Sequence, residues 1–312
     1  MAARDELELH PELPAAPQLP RRAHVESMLA QVAAGMSGIA IGEDGRLATT
    51  GAVLGAPEDG APLDPEAWRG TLALLTAAAG RSGPLKLQIT GPVTLGLALV
   101  DAGVAARRAF TLAATTVARG VRSLLDAARA SSPGAPAVVV LDEPSLSRAM
   151  HPGVPLAPEE TVDAVSGALA AASAAGAALN GVHCCGAADW TLVLHAGPDL
   201  VSTPATLELA VDAAAFGAFL ERGGWVAWGV VPTHGPFGDR HQSHWARLND
   251  VWKLLASGGA DPVRLRTQSL LTPDCGLAHH DQSQVPVIMG LVRRVAERVQ
   301  DQAYAARMSV GA

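Results

Sequence analysis

The chain has 312 residues, enough for one large α/β barrel or for two domains of about 150 residues each. Apolar residues make up 49% and charged residues 17%, the formal net charge is −7 and no basic run stands out, which excludes a disordered chain and a nucleic-acid footprint. No apolar stretch reaches the ~20 residues of a membrane span, the acidic start MAARDELELHPELP lacks the apolar core of a secretory signal, and three cysteines make no disulfide framework; the expected compartment is the cytoplasm.

The first 60 residues are irregular. LPAAPQLPRR is a proline-rich connector, residues 22–35 read as a helix, 36–41 as a short strand, and a long glycine-rich polar loop follows. From residue 85 short apolar runs alternate with longer alanine-rich stretches. The runs are LKLQI (85–89), AVVVLD (137–142), NGVHC (180–184), DLVST (199–203), WVAWGVV (225–231) and VRLRTQSLL (263–271). Several are continuous and rich in β-branched residues, as strands buried on both faces require. Helical stretches lie near 103–131, 158–176, 206–222, 241–258 and 285–306. Strand–helix alternation predicts a parallel sheet built from βαβ units.

Polar residues follow the runs: Thr90 and Gly91, Asp142 and Glu143, His183 to Cys185, His234, and Asp274 with Cys275. Functional groups at the C-terminal ends of many strands are the arrangement of a barrel, and no glycine-rich phosphate loop follows any strand. The expected fold class is therefore α/β, a TIM-type (β/α)8 barrel formed as a single domain over residues 1–312, with 1–60 as an irregular N-terminal segment. About seven strands are legible, so the first barrel strand is not found.

VHCCG (182–186) is the most informative stretch. Residues i and i+2 of a strand share a face, so His183 and Cys185 can reach one metal ion while Cys184 faces the other way, unless the alternation relaxes at the strand end. Taken alone, the triplet reads first as two core cysteines and a satisfied histidine. Cys275, at the end of a later strand, adds a third donor. One imidazole and two thiolates with one open position are the ligand set of a catalytic zinc. Asp142 sits where a carboxylate can pair with an ammonium group or cap a turn before Pro144. Thr90 and Gly91 occupy a turn that either offers N–H groups to a substrate or opens a helix at Pro92. His279 and His280 follow the metal cysteine as a further ligand or as part of a solvated loop.

QITGPVTLGLAL (88–99), VLDEPSLS (140–147), VHCCG, GVVPTHGP (229–236) and TPDCGL (272–277), in that order, resemble the C-terminal catalytic barrel of cobalamin-independent methionine synthase. The resemblance covers roughly residues 85–280 and points to short, single-barrel members of a superfamily that also holds uroporphyrinogen decarboxylase and methylcobalamin:thiol methyltransferases. It implies zinc on His183, Cys185 and Cys275, with Asp142 gripping the amino group of homocysteine and Glu143 helping to orient the site. It also implies His234 as proton donor to the departing methyl carrier. Thr90 is a substrate-binding candidate from its place in the turn, and Glu12 by position, since HPELPAAPQLPRR resembles the segment that follows the family's first strand and its G-S-x-P motif. That motif is not found: either a preceding segment supplies it or the chain lacks it.

Two further departures matter. The family's fourth zinc ligand, a glutamate in I-S-I-E, aligns with Pro204 of LVSTPA, with Glu208 four residues on. Pro232 replaces an aspartate before the presumed acid His234. The implied activity is that of a 5-methyltetrahydropteroyltriglutamate–homocysteine S-methyltransferase, with Zn2+ as cofactor and methyltetrahydrofolate or methylcobalamin as methyl donor. The expected partners are a small-molecule thiol and, for the second donor, a corrinoid protein. The alternatives are transfer to another thiol and a degenerate barrel that binds a ligand without turnover.

Overall fold

In a computed structural model, residues 2–149, 153–278 and 280–310 are described. By internal contacts the chain divides into two compact units, Met1–Val182 and His183–Ala312.

The first unit opens with a helix, α1 (Ala2–Leu9). The stretch 22–35, expected as one helix, is a 3-10 turn at His24–Glu26 followed by a short α2 (Met28–Ala33). A hairpin, β1 (Ile39–Ile41) with β2 (Leu47–Thr49), pairs antiparallel, and α3 (Arg69–Ala77) follows. Then come β3 (Leu85–Thr90), α4 (Pro92–Asp101), α5 (Ala106–Ser131), β4 (Ala137–Asp142), the single turn α6 (Leu146–Ala149), α7 (Pro158–Ala174) and β5 (Leu179–His183). β3 is buried at five of its six residues, including Gln88 and Thr90. This is the signature of a parallel strand covered on both faces. Pro92 starts α4 at the position where its missing N–H costs nothing, and Gly103, at φ +88, separates α4 from α5. The expected 103–131 helix therefore begins at Ala106. Its inner stripe of Ala109, Ala113, Val117, Val121, Leu124 and Ala128 repeats at three- and four-residue steps, one face of a helix.

The second unit holds α8 (Trp190–His195), β6 (Leu200–Pro204), α9 (Ala213–Glu221), β7 (Trp225–Val231), α10 (His241–Ser257), α11 (Pro262–Thr267), β8 (Ser269–Pro273) and α12 (Val285–Val310). Two expectations are corrected here. VRLRTQSLL is not one strand: its first half is α11, because Asp261 accepts the N–H of Val263 at 2.7 Å as N-cap and Pro262 occupies the first helical position. The strand is confined to Ser269–Pro273. The stretch 206–222 begins as a 3-10 turn, Leu207–Asp212, before α9. The core of this unit is an aromatic series: Trp190, Phe216, Trp228, Trp252 and Trp245, with successive ring centroids 5.9 to 6.4 Å apart.

The strand order in the larger sheet is β3-β4-β5-β6-β7-β8, the order of the chain. The pairs β3–β4, β6–β7 and β7–β8 are parallel, as helical crossovers require. At the edge of β3, Ala15 forms a parallel bridge to Lys86, with Ala16 N–H donating to Lys86 O and Lys86 N–H to Pro14 O, both at 2.9 Å. The protein is thus a mixed α/β structure with a six-stranded sheet and a short N-terminal segment on β3. Among the described residues, no helix is long and apolar enough to cross a membrane.

Candidate metal centre

Three of the candidate residues come together within the second unit. His183 ends β5, Cys185 lies two residues beyond it, and Cys275 follows β8 by two residues. One ligand atom from each lies within 4.8 Å of the others. Donors around a tetrahedral zinc at its usual bond lengths are roughly 3.5–3.8 Å apart, so the trio fits the ion with small side-chain adjustment. All three residues are half-buried, and Cys184 is fully buried. The alternation read from the strand accounts for this: Cys184 turns into the protein, its Sγ 3.6 Å from Gly186 O, while its neighbours share the other face.

The charge state of the trio follows from its crowding. A hydrogen bond with Cys185 pushes the Cys275 thiol up to about 12, with burial adding to this and His183 opposing it. Without a metal, the Cys275 thiol keeps its proton at neutral pH, so a binding cation must displace it.

Neighbouring groups hold the trio from both ends. Nδ1 of His183 is 3.0 Å from Ser202 Oγ, and the backbone N–H of Cys184 donates to Ser202 O at 3.1 Å. Beside Cys275, one oxygen of Asp274 accepts both the N–H and the hydroxyl of Thr233 at 2.8 Å, and Asp274 N–H donates to Val231 O at 3.0 Å. Gly229 makes this approach possible: a Cβ there would lie 2.5 Å from Asp274 Cα and 3.1 Å from Pro204 Cα. Ser202 and Thr233 were not among the residues singled out from the sequence. A serine or threonine in an apolar strand carries no periodic signal, and its role depends on which strand pairs beside it.

Pro204 ends β6, opposite Gly229, and brings no carboxylate. Glu208 is exposed in the 3-10 turn beyond, where its own N–H and the Thr206 hydroxyl hold its carboxyl below the usual range. Among the described residues, no fourth histidine, cysteine or acidic group joins the trio. His234 lies exposed in the bend after β7. His280 has Nε2 3.0 Å from Thr233 O and meets the Phe237 ring edge-on at 5.8 Å, tying the loop after Cys275 to the one carrying His234. His279 lies outside the described residues.

The remaining candidates belong to the first unit. Asp142 ends β4, half-buried and in register with Thr90. Thr90 is fully buried and its hydroxyl donates to Met28 O at 2.7 Å. Glu143 is fully buried and accepts from Val93 N–H at 2.8 Å, Thr94 N–H at 2.7 Å and the Thr94 hydroxyl at 2.5 Å. Its carboxylate therefore closes the N-terminus of α4, where the helix dipole favours negative charge. Burial still outweighs these donors and raises Glu143 to about 7. Glu12 is exposed in a bend before the segment paired with β3.

No protein-family model matches the chain, and no curated protein matches its sequence.

Proposed function

We propose that the protein is a zinc-dependent methyltransferase that moves a methyl group to the thiol of homocysteine, on a (β/α)8 barrel similar to the catalytic domain of cobalamin-independent methionine synthase. The observation that carries this reading is the convergence of His183, Cys185 and Cys275 from two strand ends more than eighty residues apart. The order of the five motifs around them supports it.

Zinc, when bound, supplies a Lewis acid that lowers the pKa of a thiol and so favours the nucleophilic thiolate. His183, Cys185 and Cys275 would hold it. With two thiolates and a neutral imidazole the donor set balances the charge of a divalent cation and leaves the position of the family's glutamate to a substrate. Asp142 is assigned to the α-amino group of the substrate on the resemblance alone. The sulfur lone pair forms the new S–CH3 bond as the carrier–CH3 bond breaks, and the electron pair leaves with the carrier. A folate nitrogen then needs a proton, which His234, exposed to solvent, would supply. A methylcobalamin carrier needs none.

Purified protein loaded with zinc and given homocysteine is expected to form methionine with methyltetrahydrofolate or with methylcobalamin, offered separately. His234→Gln should lower the folate reaction by about 100-fold or more and leave the cobalamin reaction unchanged. Pro204 at the carboxylate position favours a second reading, a barrel that binds zinc and a thiol without turnover. Zinc-dependent thiol binding with no methionine from either donor would establish it.

A further inference from the structure

We propose that the first unit carries a binding site for a small, uncharged, fused-ring compound, in a cavity between α2, β3, α5 and the segment 57–68. The cavity measures about 270 Å3. A cavity of about 150 Å3 holds a benzene ring, so this one has room for two fused rings. Every residue of its wall precedes β4, so the proposal does not depend on the metal centre. Val32, Leu63, Trp68 and Ile89 are buried and make the inner wall apolar, whereas Gly35, Glu58 and Asp64 are exposed at the mouth. The segment over the cavity is tied to α5: the Ser123 hydroxyl donates to Ala61 O at 2.6 Å, Arg119 donates to Pro57 O, and Arg122 pairs with Asp59.

A buried hydroxyl in this wall points to a ligand. Thr116 is 1% exposed, and its Oγ1 has no hydrogen-bond partner among the described residues. A helical threonine can return its hydroxyl to the carbonyl four residues back. Thr111 does so to Arg107 O at 2.8 Å, and Thr115 to Thr111 O at 2.9 Å, on the same helix. Thr116 is the buried one of the three, where an unmade hydrogen bond costs most, and it alone of the three leaves the bond unmade.

The neighbouring polar groups are already used. The Gln31 amide donates to Ala67 O at 2.9 Å and accepts from Gln18 at 2.7 Å, and Trp68 Nε1 donates to Gln31 O at 3.1 Å. Arg119 is engaged by Pro57 O, and Glu58 and Asp64 place negative charge at the mouth, so an anion is disfavoured. The cavity therefore offers apolar walls and the hydroxyl of Thr116. The ligand that matches is an uncharged aromatic whose single N–H or O–H meets Thr116 Oγ1.

The test titrates the full chain by saturation-transfer NMR with indole, with 1-methylindole, which lacks the N–H, and with indole-3-carboxylate, which adds a charge. Indole should bind saturably and at least about threefold more tightly than either analogue. Thr116→Val keeps the shape and removes the hydroxyl. It should weaken indole about 3- to 10-fold, leave 1-methylindole unchanged and raise the thermal midpoint of the ligand-free protein. Leu63→Phe, which fills the cavity from the segment above it, should abolish indole binding while unfolding stays cooperative. Three results overturn the proposal: no saturable binding of indole to the wild type, indole affinity unchanged in Thr116→Val, or indole affinity unchanged in a folded Leu63→Phe protein.

Discussion

Glu143 illustrates how an acidic residue at a strand end can be bound to the frame. Its two oxygens accept three hydrogen bonds from Val93 and Thr94, and a Cβ on Gly91 would lie 2.3 Å from Oε1. This fit explains the glycine and leaves the carboxylate directed at α4. Burial raises Glu143 to about 7, so the folded chain holds a proton that an unfolded glutamate gives up near 4.5. The contribution to stability is complete below the ordinary carboxylate range and is lost as pH rises through about 7, a swing of about 3 kcal/mol. Glu143→Gln cannot titrate, and it leaves one α4 donor without an acceptor at a cost of about 1–3 kcal/mol. Urea unfolding at about pH 5 and about pH 8 should show the wild type losing more stability than the variant between the two. An equal loss in both would contradict the assignment. The same residue shows the limit of reading sequence. The Asp-Glu-Pro triplet marks a strand end, but which carboxylate faces a helix depends on a neighbour about fifty residues away.

At the scale of elements, the ends of β6, β7 and β8 form one construction around Gly229. The Cβ missing there is the space that Asp274 Cα fills, and Asp274 in turn grips Thr233 one residue before Cys275. Gly229→Ala pushes against backbone on both sides, which no rotamer change can relieve. It should destabilise the protein by about 1–3 kcal/mol and displace Cys275 enough to weaken zinc binding. Gly134→Ala, at a glycine whose Cβ would meet nothing within 4 Å, serves as the control. Zinc affinity unchanged in Gly229→Ala, measured under conditions where it remains folded, would show that the β8 end does not set the site. These elements were unevenly legible. AVVVLD and WVAWGVV declared themselves because buried parallel strands are continuous apolar runs. The alternating VRLRT looked like a strand, yet Asp261 and Pro262 form a helix start whose local hydrogen bond overrode the alternation. β1 falls within the short strand expected at 36–41, whereas its partner β2 and the bridge at Ala15 were invisible, since three residues or one provide no periodicity.

For the molecule as a whole, the succession of strands and helices was readable from residue 85 onward because each βα unit buries its own strand. The metal trio was readable because three cysteines in 312 residues are few, and two of them lie at strand ends with a histidine. The supports of the trio were not readable: they are set by which strands become neighbours. The departure at Pro204 was visible in the sequence and stands in the structure as a strand end without a carboxylate. The central claim is that His183, Cys185 and Cys275 form a metal centre, and metal analysis of the purified chain tests it most directly. The prediction is about one zinc per chain, with Cys275→Ala weakening binding by at least the ~10- to 100-fold that loss of a supporting group costs. Full-length, folded protein that takes up no zinc, or that binds it equally well without Cys275, would contradict the claim.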